Sequence, residues 1–199
     1  MSPLSYRKMT EAELPGLADI DRSEAVRVGF ELHDGNLVQT SVHWDIPDFF
    51  RQGAGDHTLA QQVAFSRRHL AAGATMIGAF DGETLVGVGL LTPEIRPGLA
   101  QLAYLYVSSP HRREGVASSI TRRLLKLAWG LGAESVYVSA TPSQSAVEFY
   151  RSFGFVPTAQ PLPELYAQEP ADIHMVLQLD GSEWTGSAEQ AHRADRPGS

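Results

Sequence analysis

The feature that most constrains this chain's fold is a pair of apolar strand segments separated by one amphipathic helix. The segments read LAQLAYLYVSS (99–109) and SVYVSAT (135–141). Between them, apolar residues recur at helical spacing from about residue 114 to 131, and Gly132 ends the run. A helix that joins two buried strands is typical of a crossover connection, which makes the strands parallel neighbours. The sequence therefore predicts a sheet that contains a parallel pair.

The other segments predict antiparallel strands and flanking helices. Residues 75–80 and 84–92 flank an Asp81-Gly82 turn, and residues 5–9 and 173–179 are further strands. Helices are predicted within residues 11–30, 58–73 and 143–153, and an HDGN turn (33–36) separates two short strands. The fold class is thus α+β (mixed α/β), with one central mixed, mostly antiparallel sheet flanked by helices. We expect residues 1–180 to form a single domain and residues 181–199, which are polar and aperiodic, to be a disordered tail.

Composition excludes several classes of function. The chain has no cysteine, which excludes disulfides, thiolate zinc sites and cysteine nucleophiles. A formal net charge of −7 argues against a nucleic-acid partner. The seven histidines show no ligand spacing, so no metal is expected. No apolar run approaches the roughly 20 residues of a membrane span, so we expect no membrane partner and a cytoplasmic location.

The stretch HRREGVASS (111–119) lies at the junction of the first strand and the helix. Five of the 16 basic residues fall between residues 112 and 126 of this otherwise acidic chain. The start of a helix offers backbone N–H groups without partners and a partial positive charge, which together suit an anion. Gly115 lets a ligand approach these amides closely because it has no Cβ. The junction therefore predicts a phosphate site, although neither GxGxxG nor GxxxxGK[ST] is present.

The spacing Arg112-x-x-Gly115-x-Ala117 resembles the R/Q-x-x-G-x-G/A motif of the GNAT superfamily, the N-acetyltransferases that use acetyl-CoA. A second segment, SVYVSATPSQSAVEFYRSFGF, resembles that family's N-x-x-A-x-x-x-Y-x-x-x-G-F pattern. Ala146, Tyr150 and Gly154-Phe155 match in register, whereas Ser143 stands where asparagine is usual. The resemblance covers about residues 75–180.

The resemblance implies a sheet that splays between its fourth and fifth strands, with the acyl and pantetheine portion of acetyl-CoA in the gap. It implies that the diphosphate is held by amides at the start of the helix and that Tyr150 is the catalytic acid that protonates the departing thiolate. The cofactor-binding residues that it implies are Leu105, Tyr106, Val107, Arg112, Arg113, Glu114, Gly115, Val116, Ala117, Ser118, Ser143 and Ala146. A backbone N–H near Val107 is the expected donor to the oxyanion.

The sequence does not identify the amine acceptor or the base that removes its proton. The amine must lose a proton before it attacks, yet the strand LAQLAYLYV carries no carboxylate. The candidate residues for the acceptor site and the base are Asp21, Glu24, Trp44, Asp45 and Tyr104, with His43 as a weaker option for the base. The acidic N-terminal part favours a cationic acceptor, either a small-molecule amine or a protein amine.

Three functions fit these observations. The first is an N-acetyltransferase in which the amine attacks directly within a ternary complex. The second is a non-catalytic acyl-CoA-binding sensor or interaction module of the same fold, and the third is a plain nucleotide or phosphate binder. The family resemblance favours the first and is compatible with a homodimer.

Overall fold

The computed structural model describes residues 3–49 and 58–180, which form nine strands and four α-helices. The strands are β1 (Ser5–Lys8), β2 (Glu24–His33), β3 (Asn36–Ile46), β4 (Thr75–Asp81), β5 (Thr84–Arg96), β6 (Leu99–Val107), β7 (Ser135–Ala140), β8 (Val156–Pro157) and β9 (Ile173–Gln178). The helices are α1 (Leu59–Ala71), α2 (Val116–Gly130), α3 (Gln144–Ser152) and α4 (Pro163–Gln168), with 3₁₀ turns at Glu11–Asp19 and Ser109–His111.

A seven-stranded sheet in the order β1-β4-β5-β6-β7-β9-β8 forms the centre of the fold. The pair β6 and β7 is parallel, as the crossover pattern predicts, and the other neighbouring pairs are antiparallel. The pairing of β6 with β7 covers three positions, from Leu99↔Ser135 to Gln101↔Tyr137. Beyond Gln101 the two strands diverge, so the sheet splits between its fourth and fifth strands as the family resemblance implies.

Two hydrophobic cores cover the two faces of this sheet. One core joins apolar residues of α2 and α3 to β7 and β9, and it includes Ile120, Val138 and Tyr150. The other joins the Glu11–Asp19 turn and α1 to β4 and β5, and it includes Leu14 and Tyr104. Each face is therefore covered by helices, which explains why the central strands are apolar on both sides.

Two glycines of β5 bring α2 close to the sheet. A Cβ added at Gly87 would lie 2.8 Å from Val116 Cγ1, and one added at Gly89 would lie 2.8 Å from Ile120 Cγ2. Both distances are shorter than a van der Waals contact, so larger residues here would push the helix away. Because Gly87 and Gly89 have no side chains, the first turns of α2 can pack directly against β5.

Strands β2 and β3 form a separate two-stranded antiparallel sheet with its turn at Asp34-Gly35. This hairpin contacts the end of the main sheet, where Phe30 N donates to the Pro142 carbonyl at 2.9 Å. Gly29 also forms an isolated bridge with Ser143, beside α3. The hairpin therefore borders the end of the sheet at which β6 and β7 have separated.

Some predicted boundaries were wrong. Residues 24–30 were covered by both a helix and the first of the two short strands, and the strand is confirmed while the helix there is wrong. Helix α2 begins at Val116 rather than Glu114 because Arg113 has a φ of 62°. The sequence pattern missed β8 and α4, which are too short to show periodicity. The predicted break at 53–57 and the predicted tail at 181–199 lie outside the described residues. Among the residues that are described, no helix is both long and apolar enough to cross a membrane.

Candidate functional site

A cleft of about 370 Å³ opens where β6 and β7 diverge. It lies between the end of β6, the start of α2 and the start of α3. The cleft brings together Tyr150 and every cofactor-binding candidate except Glu114, namely Leu105, Tyr106, Val107, Arg112, Arg113, Gly115, Val116, Ala117, Ser118, Ser143 and Ala146. The side chain of Glu114 instead lies 3.3 Å from His111 Nδ1. Residues up to 45 positions apart in sequence, from Leu105 to Tyr150, thus converge on one concave surface.

The start of α2 presents free backbone amides to this cleft. Gly115 is the N-cap with φ 79°, and no side chain caps the helix there. A Cβ built on Gly115 would meet no protein atom within 4 Å, so the space in front of it is open. The amides of Val116, Ala117 and Ser118 precede the first residues that can bond within the helix. With Arg112 and Arg113 beside it, this surface has the charge and the donors that a diphosphate requires.

The edge of β6 that faces the gap also has free backbone groups. Ser108 N donates to the Val86 carbonyl on β5 at 2.9 Å. Because successive residues of a strand direct their N–H groups to opposite sides, the N–H of Val107 points away from β5 and toward the gap. The Val107 carbonyl accepts a hydrogen bond from Arg112 Nε at 3.2 Å, so Arg112 lies on the gap side as well. An extended ligand can therefore add to this edge as a strand would.

Tyr150 extends from α3 toward the opening between the strands. Its side chain is buried against Phe149 and Phe155, whose ring centroids lie 5.3 and 5.4 Å from its own. Burial, with smaller contributions from the charges of Tyr106, Asp172 and Glu169, raises the pKa of Tyr150 above its ordinary range. The phenol therefore keeps its proton at any physiological pH.

Ser143, which replaces the usual asparagine, is the N-cap of α3. Its hydroxyl accepts from Ala146 N at 3.3 Å, and the residue is almost fully buried. Its hydroxyl is also 3.0 Å from that of Ser145, which donates to Glu24 Oε1 at 2.6 Å. Serine is a good N-cap, so the departure from the family pattern preserves the local structure.

The five acceptor-site candidates do not converge. Asp21 accepts from the Ser23 backbone and hydroxyl, and these hydrogen bonds lower its pKa. Glu24 lies on the cofactor cleft, 3.6 Å from Arg112. Asp45 is exposed and pairs with Arg27 at 3.1 Å.

Tyr104 and Trp44 have different surroundings again. Tyr104 is buried in a core, with its hydroxyl 2.8 Å from Ser66 Oγ, and burial raises its pKa. Trp44 lines a second and larger cavity of about 720 Å³. The weaker candidate, His43, is exposed on β3. Of these residues, Trp44 alone lines the larger cavity.

The larger cavity lies between the β2–β3 hairpin and residues 158–174. The sequence pattern gave no sign of it, because its walls come from β2, β3, α4 and the start of β9. It holds Asp172, a residue that the sequence did not single out, and burial raises the pKa of Asp172 to about 7. Within residues 3–49 and 58–180, no group of three or more metal-ligating side chains is arranged to hold an ion.

The predicted site residues also left out six residues that line the cleft, which are Arg22, Ile46, His111, Thr141, Ser145 and Phe149. Arg22 and Ile46 come from the N-terminal part of the chain, where no motif guides a prediction. Phe149 immediately precedes Tyr150 in the second motif, and this position next to a predicted site residue was the one sign in the sequence that Phe149 could lie in the cleft.

Comparisons with known proteins agree with this geometry. The family model described as the acetyltransferase (GNAT) family matches residues 40–155, which is more than half of the chain. N-acetyltransferase 8 of Homo sapiens is 35% identical over 107 residues, covering 50% of this chain and 47% of that protein. N-acetyltransferase 8B of Rattus norvegicus is 30% identical over 135 residues, covering 65% and 54%. The chain therefore spans about half the length of the curated relatives it matches.

Solved structures show the same fold at low sequence identity. Nourseothricin acetyltransferase aligns with a TM-score of 0.67 at 15% identity, covering 90% of this chain and 100% of that one. A protein of Bacillus anthracis str. Ames, solved in complex with acetyl coenzyme A, aligns with a TM-score of 0.68 at 15% identity and the same coverage. The match of the family model over residues 40–155 shows that this chain belongs to the GNAT family of acetyltransferases.

Proposed function

We propose that this chain transfers an acetyl group from acetyl-CoA to an amine within a ternary complex. One observation carries the proposal: free helix amides, a free strand edge and Tyr150 line the same cleft. Acetyl-CoA supplies the acetyl group as a thioester, and the residues of this cleft bind and orient it. The family and the relatives named N-acetyltransferase support an acyltransferase of this kind.

The start of α2 is the site that we assign to the diphosphate. The amides from Arg113 to Ser118 supply donors, and the helix end adds partial positive charge. Arg112 orients the end of β6 through its hydrogen bond to Val107 and adds charge beside the phosphates. These interactions bind the carrier without taking part in the chemical step.

The edge of β6 is the site that we assign to the pantetheine arm. The backbone of Leu105, Tyr106 and Val107 would hold it in the manner of an added strand. The N–H of Val107, which points into the gap, is the donor that we assign to the oxyanion as charge develops on the carbonyl oxygen. Tyr150 would give its proton to the sulfur as the C–S bond breaks.

Direct attack by the amine is the favoured route because the chain has no cysteine that could carry an acetyl group. A calorimetric titration with acetyl-CoA, followed by a free-thiol assay with a panel of primary amines, tests the proposal. We expect saturable binding and amine-dependent release of thiol. Tight binding without turnover on any amine would favour the sensor instead, and equal competition by ATP would favour a plain phosphate binder.

Gly115→Ala should weaken acetyl-CoA binding by about tenfold, because a Cβ would occupy the approach to the amides and the φ of 79° would be strained. Gly132→Ala is the matched control: it lies just past the C-terminal end of α2 with φ 90° and has equally open surroundings. Both variants should lose a similar stability of about 1–2 kcal/mol. Equal acetyl-CoA affinities in the two variants would show that the amides at Gly115 do not bind the diphosphate.

A further inference from the structure

The cavity of about 720 Å³ has the size of a small-molecule site. Aromatic rings of Phe30, Trp44 and Tyr166 line it from β2, β3 and α4. Its acidic lining residues are Glu31 and Asp172, and its described lining contains neither lysine nor arginine. Such a surface favours a cation that carries an apolar body.

Asp172 lies at the end of this cavity that is nearest to the split in the sheet. The next residue, Ile173, opens β9 and pairs with Ala140 at the end of β7. By that level β7 has already separated from β6, since their pairing stops at Tyr137. Asp172 therefore sits at the open end of the sheet, close to where the cofactor cleft begins at Thr141.

Electrostatic coupling connects Asp172 to both faces of the split sheet. Tyr106 packs against one core and Tyr150 belongs to the other. Burial is the main cause of the raised pKa of both tyrosines, and the negative charges of Asp172 and Glu169 add to it in each case. Asp172 lines the larger cavity and Tyr150 lines the cleft, and the two spaces are adjacent because Pro142 lines the cavity while its neighbours Thr141 and Ser143 line the cleft.

The other titratable groups on this cavity are already paired. His174 uses both ring nitrogens, with Tyr137 Oη at 2.8 Å from Nδ1 and the Glu169 carbonyl at 3.1 Å from Nε2. Glu31 Oε2 is 2.8 Å from His33 Nε2. The Asp172 carboxylate has no hydrogen bond or ion pair within the part of the chain that the structure describes. It is therefore the group best placed to take a partner from outside the protein.

We infer that this cavity is the acceptor site, that its substrate is a small cationic amine with an apolar body, and that the Asp172 carboxylate binds the ammonium and removes its proton. The inference rests on the proposed function, since it supplies the base that the acetyl transfer needs. It places the base outside the candidates Asp21, Glu24 and Asp45, each of which has a hydrogen bond or an ion pair in the fold.

Burial, with a smaller contribution from the charge of Glu169, raises the pKa of Asp172 from 3.8 to about 7. The titratable residues that line the same cavity are Glu31, His33, Tyr166 and His174, and the charge of Asp172 also raises the pKa of Tyr106 and Tyr150. A carboxylate with this pKa is roughly a thousandfold better at accepting a proton than an ordinary aspartate, yet it is still largely ionised at about pH 8.

The step balances as follows. The bound ammonium gives one proton to Asp172 and becomes a neutral amine. Its nitrogen forms a bond to the acetyl carbon as the C–S bond breaks, and the sulfur takes the proton of Tyr150. The nitrogen then loses its second proton, which restores the Tyr150 phenol, and Asp172 releases its proton to water. The products are an N-acetyl amide, the free thiol of CoA and one proton.

Calorimetry on the CoA-saturated full chain tests the inference without requiring turnover. The probes are phenethylamine, tryptamine and hexylamine, each compared with the alcohol of the same skeleton. At about pH 8 we expect each amine to bind more tightly than its alcohol, and Asp172→Asn to weaken amine binding by about tenfold or more. Asp172→Glu should restore part of the loss. Glu83→Gln, which removes one carboxylate from the exposed β4–β5 turn, should behave as wild type.

Two further readouts separate a catalytic carboxylate from a structural one. In the wild type, the affinity for amines should rise as the pH increases through about 7. In Asp172→Asn this rise should be absent. Because the folded state holds the Asp172 proton more tightly than the unfolded state, the free energy of unfolding falls as the pH rises from about 4 to about 7, and the full loss is present above that pH. Asp172→Asn should therefore raise the melting temperature at about pH 8 by more than it does at about pH 4.

The inference and the proposed function fail in different ways. If amines bind no better than their alcohols, or bind equally to wild type and Asp172→Asn, the acceptor assignment is overturned while acetyl-CoA binding stands. If acetyl-CoA itself does not bind the wild type, the proposed function is overturned, and the acceptor assignment with it. For any amine that is turned over, kcat/KM of Asp172→Asn should fall by about 10²-fold or more.

Discussion

Tyr150→Phe should lower kcat by about 10²-fold or more while the affinity for acetyl-CoA stays within about threefold of wild type. The substitution removes one hydroxyl and keeps the ring that packs between Phe149 and Phe155. The hydroxyl makes no hydrogen bond within the described residues, so its loss leaves no partner unsatisfied. The substitution should therefore slow the chemical step rather than weaken binding, because the sulfur would have to depart as an unprotonated thiolate. Calorimetry and steady-state kinetics on the same preparation measure the two quantities.

The raised pKa of Tyr150 gives this prediction a second part. An acid whose pKa lies above the ordinary tyrosine value of 10.0 keeps its proton as the pH rises toward that value. The kcat of the wild type should therefore not fall between about pH 8 and about pH 10 through loss of this proton.

Tyr104→Phe is the matched control for Tyr150→Phe. It also removes a buried hydroxyl, but that hydroxyl contacts Ser66 and Met76 in the core on the other face of the sheet. We expect a loss of about 1 kcal/mol in stability and a kcat near that of wild type. If Tyr150→Phe kept its kcat, or lost affinity for acetyl-CoA in proportion to its rate, Tyr150 would be a binding residue rather than the acid.

Local patterns in the sequence predicted most of the residues that line the cleft, which we assign to the cofactor. The β6–α2–β7 unit is continuous in sequence, so hydrophobic periodicity and Gly115 together indicate where a strand ends and a helix begins. The second motif then places Ser143, Ala146 and Tyr150 one strand further along. These residues meet because a parallel pair that splits must present both carboxyl ends to one opening. The assignment of these residues to acetyl-CoA came from the resemblance of the two motifs to the GNAT family and not from periodicity.

The cavity that we assign to the acceptor could not be predicted in the same way. Its walls come from the β2–β3 hairpin and from residues 158–174, which are far apart in sequence and carry no shared motif. The pKa of Asp172 depends on burial, and burial follows from the packing of α4 and β9 rather than from any neighbour in sequence. Single acidic residues such as Asp21 and Asp45 look equivalent in the sequence, yet one caps a turn and the other pairs with Arg27.

Ser118→Asp should weaken acetyl-CoA binding by roughly thirtyfold or more, because it places a carboxylate among the amides that we assign to the diphosphate. Like charges several ångströms apart at a protein surface repel by about 2 kcal/mol or more, which corresponds to that change in Kd. The same carboxylate lies in the first turn of α2, where it is favourable for the helix. The variant should therefore bind the cofactor less well while its melting temperature is unchanged or higher.

Ser119→Asp is the control, because it adds the same charge one residue later on a side chain that does not line the cleft. The two variants share net charge, helix turn and side-chain chemistry, so they differ mainly in the direction of one carboxylate. A severalfold loss in Ser119→Asp beside a thirtyfold loss in Ser118→Asp would locate the diphosphate at the cleft side of the helix start. Equal losses would mean that general repulsion decides the affinity, and the assignment of the amides from Arg113 to Ser118 would then be wrong.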